Sequence, residues 1–362
     1  MAVWKVLDTK DIPVRCRDLP AVERKVIYQK VTKSYKTTLD IPKGSLSETR
    51  SMGIMDQVFV ALFYACILAI PLSFVPALTL SGLFLPRNYT IGLAAFYAIL
   101  MLVPVAKDRR KEWIEGRLLQ MMYHYSSYKV VWTSSVESHA KTPAIGSGGP
   151  HGVFPLGAVM SIPAMNEFMN INFVGGMASV VFSTPGLRSI GSIGGIDVGK
   201  KSVQRAIVKE GKTVGIVSDG ISGCFAAANG TDEYLAIEDK KGISKMALRL
   251  GLNIAVVHWF GNSVCLEPKV DGFGMLKALS RALKMSIFFF TGRFYLPIPT
   301  RDPIVMCIGE SIVLSGKKVE NPSKEQVDEV HKLVVEAHKK LFDDMKGAYG
   351  GKYASKELVI CS

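Results

Sequence analysis

From Gln57 to Pro86 the chain carries no charged side chain, and after Arg87 the charge-free run resumes from Tyr89 to Ala106. A helix crossing a bilayer needs about 20 apolar residues. The first run is long enough even with Pro71 and Pro76 in it; the second is near the short limit. Basic residues flank both outer ends, most densely at Lys107-Asp108-Arg109-Arg110-Lys111. Basic flanks stay cytosolic, so the pair reads as a hairpin whose turn, residues 86–88, touches the lumen. Asn88-Tyr89-Thr90 matches a glycosylation sequon but lies too close to the bilayer to serve as one. Two other readings stay open. The runs form a buried helical pair, or Pro71 and Pro76 break the first arm and the hairpin is re-entrant.

Composition agrees with a membrane protein. Hydrophobic residues make up 48% of the 362 residues and the mean hydropathy is +0.23, which excludes wholesale disorder. Lys plus Arg number 44 against 31 acidic residues, a net charge of +13. Such a balance suits nucleic acid or an anionic membrane surface. Hydropathy favours the membrane, and no basic stripe with interleaved aromatics supports nucleic acid. The six cysteines (Cys16, Cys66, Cys224, Cys265, Cys307, Cys361) form no C-x-x-C pair, so reduced thiols and no metal site are expected. The N-terminus does not read as a signal peptide.

Four zones follow. Residues 1–56 form a basic arm, 11 basic against 7 acidic residues, with a weakly amphipathic helix over 21–35 that suits a membrane surface. Residues 57–106 are the hairpin. Residues 107–142, with Trp113, Tyr123, Tyr125, Tyr128 and Trp132, form either an interfacial linker or a core helix. Residues 143–362 read as an α/β domain with a mixed sheet. Strands are expected at 178–182, 213–217, 254–258 and 304–308, and helices at 202–209, 244–250 and 274–285. A last helix begins at Asn321-Pro322 with Val327, Val330, Val334, Ala337 and Leu341 as its apolar stripe. His331 and His338 are expected to face solvent. His258, beside Trp259, is expected to be a hydrogen-bonded core residue, and His124 and His139 lie in no motif.

The densest chemical signal is Gly146-Ser147-Gly148-Gly149-Pro150-His151-Gly152. After a strand ending near Ile145, it reads as a rigid loop that presents one imidazole. Glycines let backbone N–H groups approach a ligand, and imidazole is suited to general base work near neutral pH. No G-x-S-x-G nucleophile, Walker loop or dinucleotide fingerprint occurs.

Pro150-His151-Gly152, followed by residues 153–157, resembles the His-Pro-His-Gly block of the type-2 diacylglycerol acyltransferase family, which includes monoacylglycerol acyltransferases and wax-ester synthases. Later blocks agree in order: 192–196 with Ser202, Lys241 to Arg249, Phe260-Gly261, Gly292-Arg293-Phe294 with 296–299, and the C-terminal helix. Two departures stand out. The family's first histidine is Gly149 here. Its glutamate after the strand at 213–217 falls on Gly223, and Asp219 is the candidate substitute.

The resemblance implies a fatty acyl-CoA donor, used as a substrate with no separate cofactor. It also implies diacylglycerol as acceptor and triacylglycerol as product, with monoacylglycerol, a fatty alcohol or a non-catalytic lipid-binding role as alternatives. It implies a catalytic domain on the cytosolic face of the endoplasmic reticulum, with relocation to lipid droplets and homo-oligomerisation open. In that scheme His151 is the base, Asp219 orients its imidazole, and backbone N–H groups of Gly149 to Gly152, around Pro150, hold the oxyanion. Arg188, Lys200, Lys201, Lys240, Lys241 and Arg293 are candidates for the CoA phosphates.

Overall fold

The computed structural model describes all residues except 1–2, 13–17, 34–35, 103–112, 114–115, 134–135, 137–141, 227–230, 270–272, 284–288 and 315. The basic burst at Lys107 to Lys111, Cys16 and His139 therefore lie outside the described residues.

The charge-free segment forms two antiparallel helices, α2 (Ile54–Phe84) and α3 (Arg87–Leu102); α1 (Ala21–Lys33) precedes them. Helix α2 runs through Pro71 and Pro76, against the alternative in which the prolines break the first arm. Its 31 residues extend about 46 Å, longer than a hydrocarbon core of about 30 Å. Among the described residues it is the one helix long and apolar enough to cross a membrane, over Ile54–Pro71. The 16 residues of α3 reach only about 24 Å. The rest of the second expected span lies among residues not described.

One stripe of α2 is not lipid-facing. Val60, Tyr64, Ile67 and Leu68 are buried, whereas Ile54, Met55, Phe59 and Leu62 are exposed. The buried stripe docks on α4 (Arg117–Tyr125), where the rings of Tyr64 and Tyr125 lie 5.9 Å apart. This helix is core rather than interface, since Leu119, Met122, Tyr123 and Tyr125 are all buried.

Nine strands form one mixed sheet in the order β2-β1-β3-β12-β9-β4-β7-β5-β6. They are β1 (Trp4–Asp8), β2 (Lys36–Thr38), β3 (Lys129–Thr133), β4 (Ala144–Gly149), β5 (Phe173–Met177), β6 (Gly195–Asp197), β7 (Thr213–Val217), β9 (Asn253–Phe260) and β12 (Val305–Ile308). The five strands from β9 to β6 are mutually parallel; β12 is antiparallel to β9. Short β8 (Glu233–Leu235) pairs with β13 (Leu358–Ile360), and β10 (Glu267–Lys269) with β11 (Phe289–Thr291).

The boundaries expected at 56 and 142 do not separate structural units. β1 of the arm pairs with β3 of the linker, and β3 pairs with β12 of the α/β domain. The arm helix α1 also docks on the domain. Gln120 donates to the hydroxyl of Tyr28 at 2.7 Å, and the Tyr28 ring meets Phe168 edge-on.

One sheet face packs against α2, α4 and α5 (Leu156–Glu167). The other packs against α7 (Lys200–Val208), α9 (Gly242–Leu250) and α11 (Lys324–Tyr349). Between these lie α6 (Leu187–Gly191), α8 (Gly220–Ala226) and α10 (Met275–Leu283).

Three local expectations change. Residues 179–182 form a 3₁₀ turn rather than a strand, because β5 just upstream already fills the place between β7 and β6 and Val180 and Val181 serve as a cavity wall. The last helix starts at Lys324, capped by Ser323 with Gln326 in a capping box, two residues after the expected cap. His331 and His338 are buried, not solvent-facing. They fall in phase with Val327, Val330, Val334 and Leu341, so helical periodicity carries them inward. His338 Nε2 lies 3.0 Å from the hydroxyl of Ser147, 191 residues away.

Candidate active site

The glycine-rich run is mostly strand rather than loop, because β4 continues to Gly149. Its glycines make room for neighbours. A side chain at Gly148 would overlap the ring of Trp259, one at Gly149 would overlap Leu235, and one at Gly146 would come within 3.2 Å of the Gly215 backbone. Gly152 is different: its φ is +60°, and a Cβ there would lie 3.0 Å from the Asn262 carbonyl. Only glycine makes that turn without strain.

His151 leaves the strand end half-buried. Its Nδ1 lies 3.0 Å from the Gly152 carbonyl oxygen and 3.3 Å from Cys224 Sγ. A carbonyl only accepts, so this contact assigns the proton to Nδ1 and leaves Nε2 as the basic nitrogen. Nε2 has no hydrogen-bond partner among the described residues.

Asp219 is fully buried, but it does not hold the imidazole. Its Oδ2 accepts the main-chain N–H of His151 at 2.9 Å, so it fixes the loop rather than the ring. The reason is its place at the head of α8, below the backbone of residue 151. Burial raises the Asp219 carboxyl above the ordinary carboxylate range, opposed chiefly by the nearby charge of His151. Its Oδ1 has no hydrogen-bond partner among the described residues. A side chain at Gly223 would overlap this same carboxylate. The Asp219 carboxyl thus occupies the volume that a side chain at 223 would enter.

Two contributors escaped the sequence reading. Asn262 donates through Nδ2 to the carbonyls of Pro150 and His151 at 3.2 and 2.8 Å, and its Oδ1 accepts the N–H of Gly157 at 2.9 Å. It ties the histidine turn to the start of α5. Its signal was its place directly after Phe260-Gly261. Cys224, buried against His151, had no motif to announce it. The described cysteines form no disulfide.

The expected oxyanion donors are also reduced. Pro150 has no N–H and that of His151 is taken by Asp219, which leaves Gly152 without a partner among the described residues.

His151 borders a cavity of about 340 Å³, within the usual range for small-molecule sites. Leu68 and Pro71 of α2 form one wall, Phe154 to Ile162 another, and β5, β7 and α8 contribute the floor and far side. His151 is the one ionisable residue among those lining it.

The six basic candidates do not converge. Arg188 donates to the carbonyls of Leu100, at 3.4 Å, and Met101, capping α3. Lys240 donates to the main-chain carbonyl of Asp219, and Lys241 pairs with Asp328 at 2.7 Å. Arg293 donates to Gln57 at 2.9 Å. Lys200 and Lys201 remain exposed at the head of α7, two and three residues beyond Val198 on the cavity wall. The expectation for His258 also changes: it is buried, and neither ring nitrogen is hydrogen-bonded among the described residues.

Comparison with known proteins bears on this geometry. The family described as "Diacylglycerol acyltransferase" matches residues 82–360. The chain belongs to that family. Diacylglycerol O-acyltransferase 1 of Eremothecium gossypii is 28% identical over 228 residues, 58% of this chain and 48% of that protein. Human diacylglycerol O-acyltransferase 2 is 26% identical over 56% of each chain. Mouse 2-acylglycerol O-acyltransferase 1 is 29% identical over 56% of this chain and 64% of its own. The chain thus spans about half to two thirds of the length of these curated relatives. The 1-acyl-sn-glycerophosphate acyltransferase PlsC of Thermotoga maritima covers 80% of this chain at 13% identity and a TM-score of 0.38, an overlap too low to support an argument.

Proposed function

We propose that this diacylglycerol acyltransferase family member moves a fatty acyl group from a CoA thioester to the hydroxyl of diacylglycerol, at the cytosolic face of the endoplasmic reticulum membrane. One observation carries the reading: a cavity walled on one side by the membrane helix, with His151 at its edge as the single ionisable group among the described residues that line it.

An alcohol is a weak nucleophile at neutral pH, and a positioned base contributes about 10²–10⁴-fold. His151 Nε2 takes the hydroxyl proton as the acceptor oxygen attacks the thioester carbonyl. The C–S bond then breaks, and the imidazolium returns the proton to the departing CoA thiolate. The Gly152 N–H is the donor offered to the oxyanion. Asp219 holds the histidine turn and places a buried carboxylate near the imidazolium. Cys224 does not line the cavity, which favours direct transfer over an acyl-cysteine. Lys200 and Lys201, beside the cavity wall, are the candidates for the CoA phosphates.

The test is acyl transfer in microsomes from cells lacking their own triacylglycerol synthesis. Labelled oleoyl-CoA is offered with diacylglycerol, monoacylglycerol or a fatty alcohol. Labelled triacylglycerol is expected, with a drop of at least 100-fold in His151→Ala at equal expression. Label only in diacylglycerol or wax ester changes the acceptor. No product from folded, membrane-inserted protein overturns the proposal in favour of a lipid-binding role.

A further inference from the structure

The parallel strands carry a row of positions with little or no side chain. Ala255 of β9 pairs with Gly146 of β4, Gly146 with Gly215 of β7, Gly215 with Gly175 of β5, and Gly175 with Gly195 of β6. Cross-strand partners share a face, here the one covered by α5. The part of the row that borders open space, Gly175 to Ala255, spans three strand spacings, about 14 Å, room for the distal part of an extended fatty acyl group.

Two cavities lie along this row. The one at His151 covers Gly175 and Gly215. A second, of about 50 Å³, covers Gly146, Gly148 and Ala255, and among the described residues no charged one lines it. Ser161, Phe173, Gly215, Ile216 and Trp259 line both. Two aromatic rings therefore form the partition. Phe173 rests directly on Gly215, and Trp259 lies between Gly148 and Gly157; a side chain at Gly215, Gly148 or Gly157 would overlap the ring.

We infer that the acyl chain of the CoA donor runs from His151 along the glycine row, and that the cavity behind Phe173 and Trp259 is the subsite for its methyl end. This rests on the acyl transfer reading above and adds what that reading lacks, a structural limit on chain length. The row suits a flexible hydrocarbon because it offers backbone and aromatic surface without a charge. It meets the cavity of the reacting group at one end, and at the other Met306 and Ile308 of β12 help line the second cavity.

The experiment measures kcat/KM over a series of saturated acyl-CoAs of increasing length, with one acceptor held constant. It then varies the acceptor's acyl chains with one donor held constant. Ala255→Leu adds volume to the second cavity alone, since Ala255 does not line the first. It should cost the longest donors about fourfold per excluded methylene and spare short ones. Phe173→Leu thins the partition and should shift the optimum toward longer donors. Because one variant fills and the other opens, a folding failure in either leaves the second to decide. A donor profile like that of the wild type in every variant that folds overturns the inference. So does a shift confined to the acceptor series. A wild-type protein without turnover on any donor defeats the acyl transfer reading itself, a distinguishable outcome.

Discussion

Exchanging Asp219 and Gly223 tests whether the buried acid is a relocated group. The two residues are one helical turn apart, so their side chains share a face. Asp219→Gly strips the His151 N–H of a charged acceptor, a bond worth about 1.5–3 kcal/mol. Removing a buried carboxyl whose pKa is raised by desolvation also relieves a cost, which puts this loss toward the lower bound. Gly223→Glu drives a side chain into the Asp219 carboxylate, an overpacking cost of about 1–3 kcal/mol. Independent effects would sum to about 2.5–4.5 kcal/mol. In the double variant the glutamate instead enters the space that Asp219 vacates, and its carboxylate meets the same N–H. A favourable coupling of about 2–3 kcal/mol is expected, the upper range for residues in contact. Urea unfolding of the four purified proteins in detergent measures it, with acyl transfer followed in parallel. Losses that add within about 0.5 kcal/mol, with no recovery of turnover in the double variant, would refute the reasoning.

Other perturbations follow from single contacts. Asn262→Ala orphans two carbonyls and one N–H and should cost about 2–3 kcal/mol of stability, with turnover falling at least tenfold as the histidine turn loosens; wild-type turnover would remove Asn262 from the site. Arg188→Ala uncaps α3, and at about 0.3–1 kcal/mol should speed amide exchange at Ile99 to Leu102 roughly two- to fivefold while leaving KM for acyl-CoA unchanged; a large KM rise would restore Arg188 as a phosphate ligand. Burial, with the charge of His331 adding, lowers His338 from 6.5 to about 3. The unfolded chain therefore takes up this proton near pH 6.5 and the folded protein only near pH 3. Stability owed to His338 is complete above 6.5 and declines as pH falls from there toward 3, by up to about 1.4 kcal/mol per pH unit. His338→Gln should flatten that slope by one proton, and an unchanged slope in urea titrations at stepped pH would exclude this histidine as its source.

Much of this architecture is written in local pattern. The charge-free run between Asp56 and Arg87 had to become an apolar helix, because no other backbone arrangement of that length avoids exposing apolar side chains or unpaired amides. Residues 213–217, 254–258 and 304–308 are short, β-branched runs, and they are strands. Pro150-His151-Gly152 singled out the residue that the structure places at the edge of the cavity. The strands at Trp4–Asp8 and Lys129–Thr133 were not legible, because their places in the sheet depend on each other and on β12, nearly 180 residues beyond β3. The docked stripe on α2 was hidden for a related reason: when every face is apolar, periodicity cannot show which one meets protein.

The glycines mark the division most clearly. Sequence alone determined that residues 146–152 would have an unusually bare backbone, and that His151 would be the ionisable group within it. It did not show what the bareness serves. Tertiary structure decided that Gly148 and Gly157 accommodate Trp259, that Gly215 lies beneath Phe173, and that Gly223 yields its volume to Asp219. It also decided that Asp219 meets the backbone of His151 while Gly152 and Cys224 hold the ring. Each of these turns on which atoms approach within van der Waals distance across strands and helices that are remote in the chain. A residue type states what a position is able to do; the neighbour that fills the space beside it is set by the packing of the whole sheet.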